Sequence, residues 1–312
     1  MLAGMVLAGC SGDDDEKTAK NEEIRLNADV WQMMEGTRAT TFDDQAALQT
    51  EGSFTCAVYQ AGTTTPHFST TTVNWNSSSS KWEFSDGKHY WPASGALDFW
   101  AYMPATPPSY ISDLAYAAGP NVTFTCINLP MTAATQGSSL KEFVYGIALD
   151  QDKAGTNSTL QPIAGQVAMT FQHPFARIKL QLAASHPNVT INSITFRSIK
   201  NNGSYDLSGS PKWTTTGDDA NFVLSLTGTD AVFDDNPATA TQIGEYYIMI
   251  PQAWAGEIVV NADCLFWGDK INYPSLTTTL PTTWQPGYSY TYTFNISPDD
   301  LKVDTEKYTE QW

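Results

Sequence analysis

The feature that most constrains this chain is a two-residue alternation of apolar and polar side chains that recurs along the whole sequence between turn-forming residues. Its clearest instance runs from Tyr288 to Ile296. There Tyr288, Tyr290, Tyr292, Phe294 and Ile296 fall on one face, and Ser289, Thr291, Thr293 and Asn295 on the other. Successive side chains of an extended strand point to opposite faces, so the pattern predicts a strand with one face buried. The same period appears at Leu97, Phe99 and Ala101; at Val167, Met169 and Phe171; at Ile178, Leu180 and Leu182; and at Phe222, Leu224 and Leu226. Many such runs, bounded by Gly, Pro, Asn and Asp, predict an all-β chain built of β-sandwiches. Helical periodicity is confined to short stretches such as 43–49, and no strand–helix–strand alternation supports a doubly wound sheet.

Turn chemistry divides the chain. Gly268-Asp269 separates two alternating runs within 265–273 and predicts a tight hairpin, while the polar stretches 74–81 and 214–221 predict hairpin loops. The most turn-like segment with good strand candidates on both sides is 150–162. A length of 312 residues accommodates two domains, since one domain takes about 100–200 residues. The expected organisation is a leader and linker without fold over 1–20, an N-terminal β-sandwich over 21–155, and a C-terminal β-sandwich with a C-terminal strand over 156–312.

The first nine residues are apolar or small and end at Cys10, followed by Ser11, Gly12 and an acidic run. They are far too few to span a bilayer. Leu7-Ala8-Gly9-Cys10 resembles the lipobox of bacterial lipoproteins, in which the cysteine is lipidated and becomes the mature N-terminus; no basic segment precedes it. The acidic run resembles the signal that sends such lipoproteins to the outer face of the outer membrane. Cys10 is therefore the expected lipidation site. Cys56, Cys126 and Cys264 each sit inside a strand-like run and read as buried thiols, with a Cys56–Cys126 disulfide open in an oxidising envelope.

Charge and residue spacing exclude several functions. A net charge of −17, with acidic residues spread along the chain, repels phosphate backbones and argues against nucleic-acid partners. No CxxC or Cys/His spacing suggests zinc, no Asp-rich loop has the calcium pattern, and no Gly-x-Ser-x-Gly elbow is present. His173, in FQHPF at a strand end, reads as a turn-stabilising imidazole. The pairs Asp43-Asp44, Asp218-Asp219, Asp234-Asp235 and Asp299-Asp300 read as solvated turns. No catalytic, cofactor-binding or metal-ligating residue is assigned, no cofactor is implied, and the chain is not expected to be an enzyme. Tryptophans are spread through both halves and mostly read as packing, with Trp100, out of phase with Phe99, expected to face outward. A clustered, exposed aromatic patch would instead mark a surface glycan-binding lipoprotein, the alternative function.

Six segments carry a resemblance in their order and spacing: GSFTCAVYQ (52–60), YWPASGALDFWAYMP (90–104), FVYGIA (143–148), VAMTFQHPFARIKLQL (167–182), YYIMIPQ (246–252) and WQPGYSYTYTFNI (284–296). Together they resemble the fimbrillin family of anaerobic Gram-negative bacteria. The resemblance implies two tandem transthyretin-like Greek-key β-sandwich domains behind a lipidated leader. It implies a fimbrial structural or adhesion subunit, lipid-anchored in the outer membrane at the cell surface, with other fimbrial subunits as partners. It also implies assembly by strand exchange: a protease cuts after an Arg behind the first strand, that strand leaves, and an extended segment of another subunit fills the groove. Here the first strand corresponds to 23–34, with Ile24, Leu26, Ala28 and Val30 on one face, and Arg38 matches the cleavage position. Residues 301–312 are the candidate donor segment, or else a last strand packed on its own domain. Leu301 and Val303 share one parity and Tyr308 and Trp312 the other, so a bulge or bend is needed.

If Cys10 carries the anchor, Cys10→Ala should release the protein from the membrane fraction, because two or more acyl chains give stable attachment and the apolar leader alone does not. Fractionation followed by immunoblotting checks this, and unchanged retention would count against lipidation.

Overall fold

The structure, a computed structural model, describes residues 22–30, 44–117, 121–137, 140–155, 165–184, 186–234, 237–280, 282–296 and 301–311. Cys10, Arg38, the leader 1–20 and positions 31–34 of the expected first strand lie outside them. The described residues are all-β, with twenty strands and a few short helical turns.

In chain order the elements begin with β1 (Arg25–Val30), α1 (Gln45–Glu51), β2 (Ser53–Gln60), β3 (Pro66–Asn76), β4 (Lys81–Phe84) and β5 (Leu97–Met103). Next come β6 (Ile111–Ala117), β7 (Asn121–Cys126), the single turn α2 (Ala133–Gln136), β8 (Val144–Gln151), β9 (Gln166–Gln172) and β10 (Ala176–Leu182). The long strands β11 (Asn188–Asp206) and β12 (Trp213–Ser225) precede β13 (Val232–Phe233), β14 (Thr241–Met249) and β15 (Ala253–Trp254). The last are β16 (Glu257–Phe266), β17 (Asp269–Thr279), β18 (Thr282–Thr283), β19 (Tyr288–Ile296) and β20 (Leu301–Gln311).

The alternating runs become strands as their period demands. In β9 the side chains of Val167, Met169 and Phe171 are fully buried, with Ala168 and Thr170 between them only half-buried. The short helical pattern near 43–49 becomes α1, which Asp44 caps by accepting the Ala47 N–H at 2.7 Å; Gly52, with φ at 81°, ends it in the left-handed conformation.

Where the sequence predicts an open sandwich in the N-terminal half, the strands close into a ring ordered β1-β4-β3-β2-β5-β8-β9. Closure comes from β1, which pairs in parallel with β9 and meets β4 on its other side. Phe54, Phe99, Met103, Met169 and Phe171 fill the interior. The segment 150–162, expected to separate the domains, lies partly outside the described residues; β8 before it and β9 after it belong to this one ring.

The second half holds two sheets face to face, β14-β10-β19-β20 against a sheet ordered β17-β16-β11-β7-β6 with β12 also paired to β11. Ile178, Phe196, Leu224, Val260, Trp284 and Tyr292 meet in the core between them. The outer edge of β14 is closed by a side chain: Gln136 accepts from the Ile248 N–H at 2.8 Å and donates to its carbonyl at 2.9 Å, standing in for a neighbouring strand. Gln252 does the same for Lys200, at 3.0 and 2.9 Å, where the β11 register shifts.

A third apolar layer joins the halves. The β6–β7 hairpin leaves the ring to pair with β11, and Phe124, Phe143, Phe175, Tyr205 and Trp213 pack against the outer face of the barrel. This corrects the expectation for Trp100: it does point out of the barrel, yet it is buried beneath Tyr116, stacked at 5.8 Å, because β5 is covered on both faces. Cys56 lies inside the barrel and Cys126 in the layer outside it, and both are free buried thiols, as is Cys264. Burial pushes the Cys126 thiol up to about 12.

Two turn expectations shift. The hairpin at 265–273 turns at Trp267 and Gly268 rather than at Gly268 and Asp269, since Phe266 pairs with Asp269 and the two central residues have φ of 49° and 95°. The stretch 214–221 is strand rather than loop; its threonines suit an extended backbone, and Gly217, with φ at 79°, takes up the register shift against β11. The loop expected within 74–81 joins β3 to β4 as predicted.

Phe171→Ala should lower stability by about 3–5 kcal/mol, the cost of a large cavity in a ring whose centre this side chain shares with Phe54 at 5.4 Å. Equilibrium denaturation measures it, and a loss below about 1 kcal/mol would show that the interior is not packed as described.

Candidate functional site

The part of the fold whose construction differs most from the rest is β1. Residues 24–29 alternate, and the fold uses the alternation fully: Ile24, Leu26 and Ala28 are buried against the barrel interior, while Arg25 and Asn27 face solvent. Along one edge β1 forms six consecutive parallel pairs with β9, from Arg25 opposite Gln166 to Val30 opposite Phe171. Along the other, among the described residues, it has a single registered pair, Leu26 opposite Trp82 in β4.

The approach to β1 is fastened separately. The Ile24 N–H donates to the His89 carbonyl at 2.8 Å, the Trp91 N–H to the Glu22 carbonyl at 2.9 Å, and the Arg25 N–H to the Gly165 carbonyl at 2.9 Å. Lys88 and Glu23 form an exposed ion pair at 2.8 Å, and that hydrogen bond raises the Lys88 ammonium above its ordinary value. From α1, Gln45 donates to the Ala28 carbonyl at 3.2 Å. Among the described residues β1 is thus a stave with one continuous ladder, one edge with a single registered pair and an apolar inner face.

Two groups beneath it escaped sequence reasoning. Among the described residues the indole N–H groups of Trp82 and Trp91 are buried with no hydrogen-bond partner, and both side chains belong to the barrel interior. A buried donor without an acceptor is costly, and the Trp100 indole in the outer layer shares that condition. Nothing in the sequence distinguishes these indoles from Trp213, which donates to the Pro174 carbonyl at 2.6 Å.

At the other end of the chain, 301–311 is a last strand on its own half, antiparallel to β19 from Ile296 opposite Leu301 to Tyr288 opposite Gln311. The parity change in its sequence appears as a register shift between Tyr288 and Tyr290, where the facing positions run from Lys307 to Gln311. Val303 is buried and Lys302, Asp304 and Glu306 are exposed.

The residues considered for chemistry are scattered. His173 is buried, with Nδ1 2.8 Å from Glu142 Oε1, in the junction between the ring and the rest of the chain. Among the described residues no group of three or more His, Cys, Asp or Glu side chains is placed to hold a metal ion. Six of the tryptophans, at 82, 91, 100, 213, 254 and 284, are buried, and Trp254 stacks on Trp284 at 5.5 Å. Trp267, at the hairpin tip, is 96% exposed.

The family described as fimbrillin-like matches residues 37–312, a span that begins after β1. Among solved structures, the chain is similar to a candidate cell adhesion protein from Bacteroides uniformis, with 13% identity, 93% of this chain and 98% of that one covered, and a TM-score of 0.53. A candidate cell adhesion protein from Bacteroides ovatus is similar at 13% identity, with 94% and 98% covered and a TM-score of 0.52. At these identities the likeness is one of fold. No curated protein matches the chain.

Leu26→Ala should destabilise the uncut chain by about 2–4 kcal/mol, since it empties the inner face of β1 opposite Trp82. His173→Ala should cost about 1–3 kcal/mol through the lost contact to Glu142, without abolishing any turnover. Thermal melts check both, and a hydrolytic activity that vanishes in a folded His173→Ala protein would overturn the packing role.

Proposed function

This chain belongs to the fimbrillin-like family, and on that premise we propose that it is a fimbrial structural or adhesion subunit, displayed at the cell surface and joined to other fimbrial subunits by strand exchange. The observation that carries the reading is the construction of β1, which closes the barrel yet is fully laddered along one edge only. Its removal would expose the β9 edge and the apolar space now filled by Ile24, Leu26 and Ala28. An open edge beside an apolar trough accepts another extended segment by β-augmentation. Arg38 follows β1 in sequence and is the position at which a trypsin-like protease would free it.

The fold shared with solved candidate cell adhesion proteins supports the same reading. The work assigned is mechanical and adhesive rather than catalytic. Cys10 is assigned as the lipid attachment point that holds the subunit at the outer membrane, with 1–20 as leader and tether. We assign 21–155 and 156–312 as two tandem transthyretin-like units; the ring that β1 closes takes β9 from the second of them and opens when β1 leaves.

Limited trypsin digestion of the chain from Ser11, followed by size analysis, tests the mechanism. Cleavage at Arg38 should convert monomers into oligomers that resist mild denaturant, and Arg38→Ala should abolish the conversion. A clean cut at Arg38 whose product stays monomeric, even with other fimbrial subunits added, would rule out exchange through this groove.

A further inference from the structure

The hairpin that joins β16 to β17 turns on Trp267 and Gly268, and both take the left-handed conformation, with φ of 49° and 95°. A two-residue turn of this kind favours Asn, Asp or Gly at its first position, because a left-handed backbone brings Cβ against the following carbonyl. A bulky tryptophan there is an outlier. The fold recovers nothing in exchange, since Trp267 is 96% exposed and a Cβ placed at Gly268 would meet no atom within 4 Å. The other described tryptophans are buried or half-buried. An indole held in a strained turn, clear of the rest of the molecule, costs the monomer twice, and strain of that sort accompanies a role outside the fold.

Behind the tip, the outer face of the sheet carries a row of hydrogen-bonding side chains. Across β16 and β17, Leu265 pairs with Lys270 and Asp263 with Asn272, while Asn188 of β11 stands opposite Leu265. Asn272 Nδ2 donates to Asp263 Oδ1 at 2.6 Å, and Lys270 Nζ lies 3.1 Å from Asp263 Oδ2. Further along, Asn192 Nδ2 donates to Asn261 Oδ1 at 3.1 Å. A carboxamide has two donor hydrogens and two lone pairs, so one such bond fixes its plane and leaves the remainder for a ligand. From Trp267 back to Asp263 is about 13 Å of strand, room for a short oligosaccharide.

We propose that this hairpin is a sugar-binding finger: the Trp267 indole takes the apolar face of one ring of a neutral oligosaccharide, and Lys270, Asn272 and Asp263 hydrogen-bond the hydroxyls of the rings that follow. This rests on the adhesive part of the proposed function, to which it gives a ligand class, and it needs no strand exchange. A flat apolar platform beside oriented amides and a carboxylate matches a pyranose, which has a C–H face and a rim of hydroxyls. Charge narrows the class. Asp263 and Asp269 flank the platform on a chain of net charge −17, so sulfated, phosphorylated and other anionic glycans are repelled. A lipid surface fits less well. The exposed apolar side chains at the tip are Trp267 and Leu265, the latter 44% exposed, and the returning strand begins with Asp269 and Lys270, whose charges would be carried into the bilayer with them.

The test uses the uncut chain from Ser11 as wild type, Trp267→Asn and Trp267→Tyr. Each is measured by thermal melting and by binding to immobilised trisaccharides of glucose, galactose, mannose and xylose, with a sulfated glycan and phosphatidylcholine vesicles as the competing surfaces. Trp267→Asn should melt about 2 °C higher, because asparagine accepts the turn that tryptophan strains. It should also bind the neutral sugar about tenfold more weakly, the effect of a lost aromatic platform. Trp267→Tyr, which keeps a flat ring, should retain most of the binding. No binding to any of the four neutral sugars, equal binding by wild type and Trp267→Asn, or binding only to the vesicles or the sulfated glycan would each overturn the finger. So would a lower melting temperature of Trp267→Asn, which would show that the indole serves the fold. Adhesion is read separately from beads coated with each protein and mixed with bacterial or epithelial cells. Equal attachment by wild type and Trp267→Asn would overturn the finger and leave adhesion standing, whereas a wild type that attaches to no cell would sink the adhesive reading and the proposal with it.

Discussion

Six consecutive parallel pairs between β1 and β9 close the N-terminal strands into a ring, and the interior depends on that ladder because the opposite edge of β1 has one registered pair. With β1 in place, every strand of the ring has two neighbours and the apolar interior is covered all round. Without it, β9 and β4 become edges, and an edge beside exposed apolar side chains is a template for another strand. The same contact therefore sets the stability of the monomer and its capacity to join others. Residues 24–29 fill the groove well in volume, and the unpaired Trp82 indole marks where they fill it incompletely in polar terms.

What holds the rest of the ring around β1 is burial on the far side. The barrel strands β2, β5 and β8 are packed inward against Phe54, Phe99 and Phe171 and outward against Phe124, Phe143 and Tyr205. The Tyr145 and Tyr205 hydroxyls meet at 2.6 Å in that outer layer, linking β8 to β11, and burial pushes the Tyr145 phenol up to about 12. Loss of β1 would remove one wall of the interior and leave these strands held by their second core. Other edges are closed by side chains, Gln136 on β14 being the clearest, so β-augmentation is discouraged there.

Period-2 alternation was enough to place most strands, and the inward set of β9 and of β1 could be read directly from it, because one face of each is solvated. It failed where both faces are buried. Trp100 and Ser289 occupy the polar or outward phase of their strands and are nonetheless covered, the first by Tyr116 and the second by Arg177, whose Nε donates to Ser289 Oγ at 3.3 Å. Long-range topology was also invisible: no local pattern tells that the β6–β7 hairpin joins β11, or that β1 runs parallel to β9. Of the candidate site, the inward face of the first strand over 24–28 and the parity break at the C-terminal end were legible. The unpaired indoles were not, since satisfaction of a polar group is a property of its neighbours in space.

Native-state hydrogen exchange on the uncut chain, resolved by peptide or residue, tests most directly whether β1 is the one stave that can leave. The account predicts that the amides of β1 exchange through a local opening well below the free energy of global unfolding, while those of β2, β5 and β8 exchange only with the whole fold. Exchange of β1 at the same free energy as β2, β5 and β8 would mean that the barrel opens as one unit, and would contradict a separable first strand.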